Sequence, residues 1–360
     1  MSLPTSYQVR DLTISPNVVL APMEGVTDLP FRRLIRTIGG AGLTCTEFIA
    51  SEGLKRGVGK MMEMAEFDPD ERPIAVQIYG KRPEVMAEAA RIVEDMGVNI
   101  IDINMGCPSK KVCAHSGGSA LMKDPVLAGE IVRAVKAAIQ IPLTVKMRSG
   151  FDATQRNAPE VARICQEEGA EAIAIHWRTR SDKYGGVRAI DKIAETKQLL
   201  SVPVIANGDI IDIPSAIKMF EETGCDGVMV GRGAIRNPWA MLQISQVLAG
   251  EEPVQVTAAE RHRVLVTYLD SIRNRFRNER GVLGRFKKIS NYFTKGLPFG
   301  SDVRTLILRS QSIEEALEHI EVYFARLSAH EAGDYTAFHT EKAAPSAGDA
   351  SKTAASPASL

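Results

Sequence analysis

The 360-residue sequence contains no apolar run approaching the roughly 18 residues that a membrane span needs. Its opening, MSLPTSYQVRDLTISPN, also lacks the basic-then-apolar plan of a secretory signal. A cytoplasmic protein without membrane association is expected. Cysteine is scarce: five residues, at 45, 107, 113, 165 and 225, stand singly. An odd, scattered set argues against a disulfide framework and for reduced thiols, any one of which is available for chemistry. A four-ligand metal pattern is missing too. Cys107, Cys113 and His115 form C-x5-C-x-H with no matching second half, so no metal is expected.

Net charge is absent as well, 44 Lys and Arg balancing 44 Asp and Glu. The balance hides a local excess. Between Arg261 and Lys295, ten basic residues stand against two acids, Asp270 and Glu279, a net of +8. Such a stretch is either the footprint of a polyanion partner or the solvated face of amphipathic helices. With 44% hydrophobic and 24% charged residues, the bulk of the chain falls in the soluble globular class rather than the fibrous or disordered ones.

What is present is a repeated grammar. Eight short β-type runs, VVLAPM (18–23), GLTCTEFI (42–49), PIAVQIYG (73–80), IIDINMGC (100–107), PLTVKMRSG (142–150), AIAIHWRT (172–179), PVIANGDI (203–210) and GVMVGRGA (227–234), alternate with helical patterns. Most are apolar until their C-terminal ends, as parallel strands covered by helices are. Prolines 30, 83, 125, 159 and 214 fall near first helical turns, where a missing N–H costs nothing, and Gly224 is placed as a helix stop. Eight β-then-α units with no reversal of strand order predict an α/β fold of the TIM-barrel type over residues 1–248. After the linker AGEEPVQ the pattern is helical throughout, predicting a small α-helical domain over 255–330. Residues 331–360, rich in Ala, Ser, Thr, Pro and Gly, are expected to be a disordered tail.

In such a barrel, chemistry belongs at the C-terminal ends of the strands. The ends carry Pro22, Met23 and Glu24; Gln77; Asn104 and Cys107; Lys146 and Arg148; His176 and Arg178; Asn207, Gly208 and Asp209; Gly231 and Arg232. The glycines of NGDI and VGRGA, with Arg232 beside them, suit an anion approached by backbone N–H groups, although tight βα turns alone would also use them. Lys146 ends an apolar strand and calls for a negative partner. His176 follows AIAI, a place for either a cavity donor or a satisfied core histidine. Cys107 precedes Pro108 and the pair Gly117-Gly118, which allow the loop to close over a ligand; a buried structural thiol is the alternative.

APMEGVTD (21–28), INMGCPSKKV (103–112), VKMRSG (145–150), IHWRTR (175–180), VIANGD (204–209) and MVGRGAIRNPW (229–239) occur in order, and the chain resembles the tRNA-dihydrouridine synthases over roughly residues 15 to 330. That resemblance implies FMN across the barrel mouth, NADPH or NADH as reductant, and tRNA as the partner, with no obligate protein partner evident. It implies that Pro22, Met23 and Glu24 run beside the flavin ring, that Gln77 and Lys146 bond its polar edge, and that His176 lies near the ring and phosphate. Asn207, Gly208, Asp209, Gly231 and Arg232 match the phosphate cradle. Cys107 matches the proton donor, Asn104 a residue near the target uracil, and Arg148, Arg178 and Arg180 groups around the substrate. Lys110, Lys111, Lys287 and Lys288 are candidate phosphate contacts. Trp177 departs from the family, which usually has glycine there; packing behind the strand is the expected role. A flavin barrel acting on a small free pyrimidine is the rival, though it leaves the basic segment without a purpose.

Overall fold

Eight parallel strands follow the eight apolar runs: β1 (Val18–Leu20), β2 (Leu43–Cys45), β3 (Ile74–Tyr79), β4 (Ile100–Met105), β5 (Leu143–Arg148), β6 (Ala172–His176), β7 (Val204–Asn207) and β8 (Gly227–Val230). Each pairs with its successor, and β8 returns to β1 through Val230 opposite Leu20, so the sheet closes into a TIM-type barrel. The computed structural model describes residues 3–109, 112–113, 117–182, 185–186 and 188–338. Lys110, Lys111 and His115 lie outside the described residues, as does the tail from 339 onward.

The helices outside the strands are α1 (Leu29–Ile38), α2 (Pro83–Asp95), α3 (Pro125–Ala138), α4 (Ala158–Glu167), α5 (Asp191–Leu199), α6 (Ile213–Thr223), α7 (Arg232–Arg236) and α8 (Ala240–Leu248). Prolines 30, 83, 125, 159 and 214 occupy the first turns of α1, α2, α3, α4 and α6, and Gly224 ends α6 at a left-handed φ of 64°. The β2–β3 connection adds two short helices, Ser51–Lys55 and Gly59–Ala65. It is pinned by a buried ion pair, Arg32 Nε to Glu71 Oε2 at 2.6 Å, in which Arg32 also donates to the carbonyls of Thr27 and Glu66. Burying two charges is tolerable only when their hydrogen bonds are satisfied in this way.

Inward residues alternate along each strand, so β4 presents Ile100, Asp102 and Asn104 and β6 presents Ala172, Ala174 and His176 to the interior. The lower positions are apolar and small, the upper ones polar. Into the lower end fits an antiparallel hairpin that sequence reading missed, Tyr7–Val9 with Leu12–Ile14. Its Tyr7, Val9 and Ile14 are buried among Leu43, Ala75, Ile100, Ala172 and Ile205. The barrel is thereby closed below and polar above.

Four helices complete the described chain: α9 (Ala258–Arg275), α10 (Glu279–Phe293), α11 (Gly300–Arg309) and α12 (Ile313–Glu331). Their buried faces belong to the same apolar cluster as the outer faces of the barrel strands. Lys288 Nζ donates to the Gly25 carbonyl at 2.8 Å, and Arg285 Nε lies 3.3 Å from Asp28 Oδ2, so α10 sits against the loop that follows β1. No helix among the described residues is long and apolar enough to cross a membrane. One boundary needs correction. Disorder was expected from residue 331, yet α12 reaches Glu331 and residues 332–338 fold back on the helices, with Phe338 stacked on Phe299 at 4.2 Å. Phe338, packed on Phe299 and Tyr323, supplies an anchor that the small-residue composition concealed.

Candidate active site

A cavity of about 400 Å³ opens at the C-terminal ends of the strands. It is lined by thirteen of the residues singled out from the sequence: Pro22, Met23 and Glu24 on one side, Asn104, Cys107, Lys146 and Arg148 on another, and His176, Asn207, Gly208, Asp209, Gly231 and Arg232 on the third. Phe48, which sequence reading passed over, completes the wall and packs edge-on to Tyr79 at 5.5 Å. The volume and the mixture of apolar wall with few polar groups are those of a small-molecule or cofactor site.

Two positively charged features converge there. Lys146 is buried, and its only hydrogen bond among the described residues is to Asn207 Oδ1 at 3.1 Å. Burial, reinforced by Arg148, pulls its pKa down to about 8. Asn207 is itself fixed by donating to the Met229 carbonyl at 2.7 Å. A buried ammonium held by one neutral amide suits an anionic ligand, which would restore its charge. The second feature lies between β7 and β8. Arg178 grips Asp209 through both terminal nitrogens, at 3.0 and 2.6 Å, and Arg232 donates to the same carboxylate at 2.6 Å. Although burial works against it, these guanidiniums hold the Asp209 carboxyl below its usual range.

Gly208 lies beneath that cradle at φ +118°, and a Cβ there would come within 2.4 Å of Trp177 Cδ1. Only glycine permits both the backbone angle and the close approach. Trp177 is buried in the core with Arg178 stacked 4.0 Å above its ring, as packing behind the strand requires. Gly231, Arg232 and Gly233, at the start of α7, border the same space.

His176 is held neutral: burial and then the charges of Lys146, Arg148, Arg178 and Arg232 push its pKa well below 6.5. Its Nδ1 accepts from the Arg178 backbone N–H at 3.1 Å. The proton therefore resides on Nε2, which makes that nitrogen a donor. Across the cavity, Cys107 is 6% exposed. Burial pushes its thiol pKa up, so the sulfur stays protonated at neutral pH. Its carbonyl accepts from Ser119 N and Oγ, at 3.1 and 2.9 Å, and from the Cys113 thiol at 3.5 Å. Gly118, at φ +58°, allows that return; a Cβ there would lie 2.9 Å from the Cys107 oxygen.

Other candidates sit elsewhere. Gln77 is fully buried beneath Asn104, with which it shares a hydrogen bond, and does not line the cavity. Arg148 ties the Cys107 loop to the β6 end through the carbonyls of Gly106 and Thr179. Arg180 lies 5.2 Å from the centroid of the Phe151 ring, which Lys123 also approaches, at 4.0 Å. Lys287 caps the end of α11 through the carbonyls of Leu308 and Ser310, and Lys288 holds Gly25. Both lysines serve intramolecular contacts here, a use invisible in charge spacing.

A closed parallel barrel whose mouth joins a protonated thiol to an anion-seeking lysine and a glycine-arginine cradle defines a cofactor-dependent class of barrel enzyme. Family comparison narrows the class: residues 19–328 match the dihydrouridine synthase (Dus) family. The chain belongs to that family of enzymes. It is 39% identical over 323 residues to tRNA-dihydrouridine synthase B of Xanthomonas axonopodis pv. citri, covering 89% of this chain and 97% of that one. It is likewise 39% identical over 326 residues to a probable tRNA-dihydrouridine synthase of Rickettsia prowazekii, covering 90% and 99%. Among solved structures, a 2-naphthoyl-CoA reductase bound to 2-naphthoyl-CoA superimposes with a TM-score of 0.52 over 69% of this chain and 52% of that one. At 12% identity that likeness concerns the fold alone.

Proposed function

We propose that this protein reduces uridines in tRNA to 5,6-dihydrouridine, with FMN as cofactor and NADPH, or NADH, as the reductant. Family membership and the names of its relatives support the reaction. The observation that carries the site assignment is the pairing, on one cavity, of the protonated Cys107 with the anion-seeking Lys146 and the cradle of Gly208, Asp209, Gly231 and Arg232.

When bound, the flavin supplies hydride transfer to C6 of the uracil. The chain's own residues do the rest. Gly208, Gly231 and Arg232 hold the phosphate group, with Asp209 orienting Arg232 and Arg178. Lys146 offsets negative charge at the cofactor's polar edge, and His176 donates from Nε2 without adding charge. Pro22, Met23 and Glu24 form the wall beside the ring, while Gln77 supports that edge from below through Asn104. Cys107 gives its proton to C5 of the uracil, so the C5=C6 bond gains one hydride and one proton, and the thiolate is reprotonated from solvent. A thiol whose pKa is raised is an effective reservoir for that proton at neutral pH.

A base stacked inside tRNA reaches such a cavity only by leaving its stack. Backbone contacts must then hold the RNA beside the mouth. The basic stretch of α9 and α10 adjoins the β1 loop and suits that role; Arg277 and Arg280 are exposed and in no ion pair among the described residues. Arg178 and Arg180 remain candidates, as do Lys110 and Lys111, which lie outside the described residues. The test is turnover of the purified protein with FMN and NADPH on tRNA lacking dihydrouridine, against free uridine and dihydroorotate. Dihydrouridine in tRNA with no turnover of the free pyrimidines is expected; the reverse preference contradicts the reading.

A further inference from the structure

We propose that Asp102 is a positioning residue for Cys107, acting through Gln77 and Asn104; the proposal rests on the role given to Cys107 above. Register sets Asp102 level with Gln77 on one side and Thr144 on the other, one inward step below Asn104. The Asp102 carboxylate accepts from Thr144 Oγ1 at 2.5 Å and from Gln77 Nε2 at 2.6 Å. Gln77 Oε1 accepts from Asn104 Nδ2 at 2.6 Å, and Asn104 Oδ1 accepts from the backbone N–H groups of Gly106 and Cys107 at 3.1 and 2.9 Å. Gln77, Asp102 and Asn104 are 0%, 5% and 5% exposed, so water has little part in the chain.

The chain has a sense, and Asp102 sets it. Either amide alone could turn over, exchanging its donor and acceptor ends. A carboxylate accepts only. It draws the NH2 of Gln77 toward itself, which leaves Oε1 to face Asn104 and draws the NH2 of Asn104 in turn. Asn104 Oδ1 is thereby left for the two backbone N–H groups that precede the thiol. Reversal at any link would set an NH2 group against those N–H groups and strand both unpaired in a buried place. Arg148 and Ser119 grip the same loop through the carbonyls of Gly106 and Cys107. Asp102 does not line the cavity, so its influence on the thiol runs through this chain.

The test reads the cofactor-free protein by hydrogen exchange of the amides of residues 106 and 107 and by iodoacetamide alkylation of Cys107. Tryptic cleavage at Lys110 and Lys111 separates that thiol from Cys113. Asp102→Asn introduces a group that can donate, so the sense is no longer imposed. Exchange protection is expected to fall at least ~10-fold and Cys107 to alkylate faster. In the loaded enzyme kcat should fall at least ~10-fold with KM for tRNA unchanged. Adding Gln77→Glu should restore protection and the slow alkylation, because the introduced carboxylate at 77 accepts from both neighbours and returns Asn104 to its original sense. A packing role for Asp102 would leave the double variant no better than the single one. Wild-type exchange and alkylation in Asp102→Asn, or no recovery in the double variant, overturns the proposal. Should Asp102→Asn not fold, Asn104→Ala cuts the last link and must show the same loss of protection; wild-type protection there overturns it equally. These measurements need neither cofactor nor tRNA. A wild-type protein that makes no dihydrouridine would instead defeat the functional reading and leave the exchange result standing.

Discussion

At the scale of single residues, the cavity keeps one group charged at a cost and two groups neutral. Lys146 is the charged one, with a pKa of about 8 against 10.5 for an unhindered lysine. Between those values the unfolded chain binds more protons than the folded one, so this residue makes stability rise with pH across that window. Below pH 8 its penalty is fully present. Lys146→Met should therefore raise the thermal midpoint of the cofactor-free protein at pH 7, with the gain over wild type shrinking as pH climbs from 8 to 10.5. The same substitution should weaken FMN binding, measured by fluorescence titration. A lower midpoint at pH 7 would show that the ammonium has a compensating partner in the free protein. His176 and Cys107 are the neutral pair, kept so mainly by burial. One then donates without charge, and the other retains a proton to give.

At the scale of elements, the loops after β7 and β8 suit the proposed anion site because glycine lets backbone and tryptophan share the space. Gly208→Ala forces a side chain at φ +118° onto Trp177. A loss of about 1–3 kcal/mol in unfolding free energy is expected, with FMN affinity reduced more than tenfold. Denaturant melts and flavin titration check both; unaltered affinity would move the phosphate away from this loop. The strand ends were legible because a short apolar run that turns polar at its C-terminal end announces both a buried parallel strand and its rim: Lys146, His176 and Asn207 were found that way. Other features depend on partners distant in sequence. The Tyr7–Ile14 hairpin alternates as a strand should, but nothing local says that it fills the barrel's lower end. Gln77 reads as a rim residue until Asp102 and Asn104 are seen to hold it below the cavity. Lys287 and Lys288, candidate phosphate contacts, also bond the end of α11 and the Gly25 carbonyl, which charge spacing does not announce. Trp177, expected to pack behind the strand, is buried in the core.

At the scale of the whole molecule, neutrality overall and a net of +8 between Arg261 and Lys295 are compatible because the charge is gathered on α9 and α10, against the loop that follows β1. If this surface holds the tRNA backbone, log affinity should fall linearly with log salt, by about 0.7 to 0.9 for each phosphate engaged. Charge reversal at Arg277 and Arg280 should flatten that slope and weaken binding while leaving flavin content unchanged. A slope near zero in the unaltered protein would assign the basic face to solvation alone.

The central claim is that Cys107 supplies the proton that completes reduction of the uracil. Cys107→Ala tests it most directly, in an anaerobic single turnover of FMN-loaded, NADPH-reduced protein with tRNA lacking dihydrouridine. The expected result is normal flavin content and normal reduction by NADPH, with dihydrouridine formation slowed by about 100-fold or more relative to the unaltered protein. Dihydrouridine formed at the unaltered rate would contradict the claim.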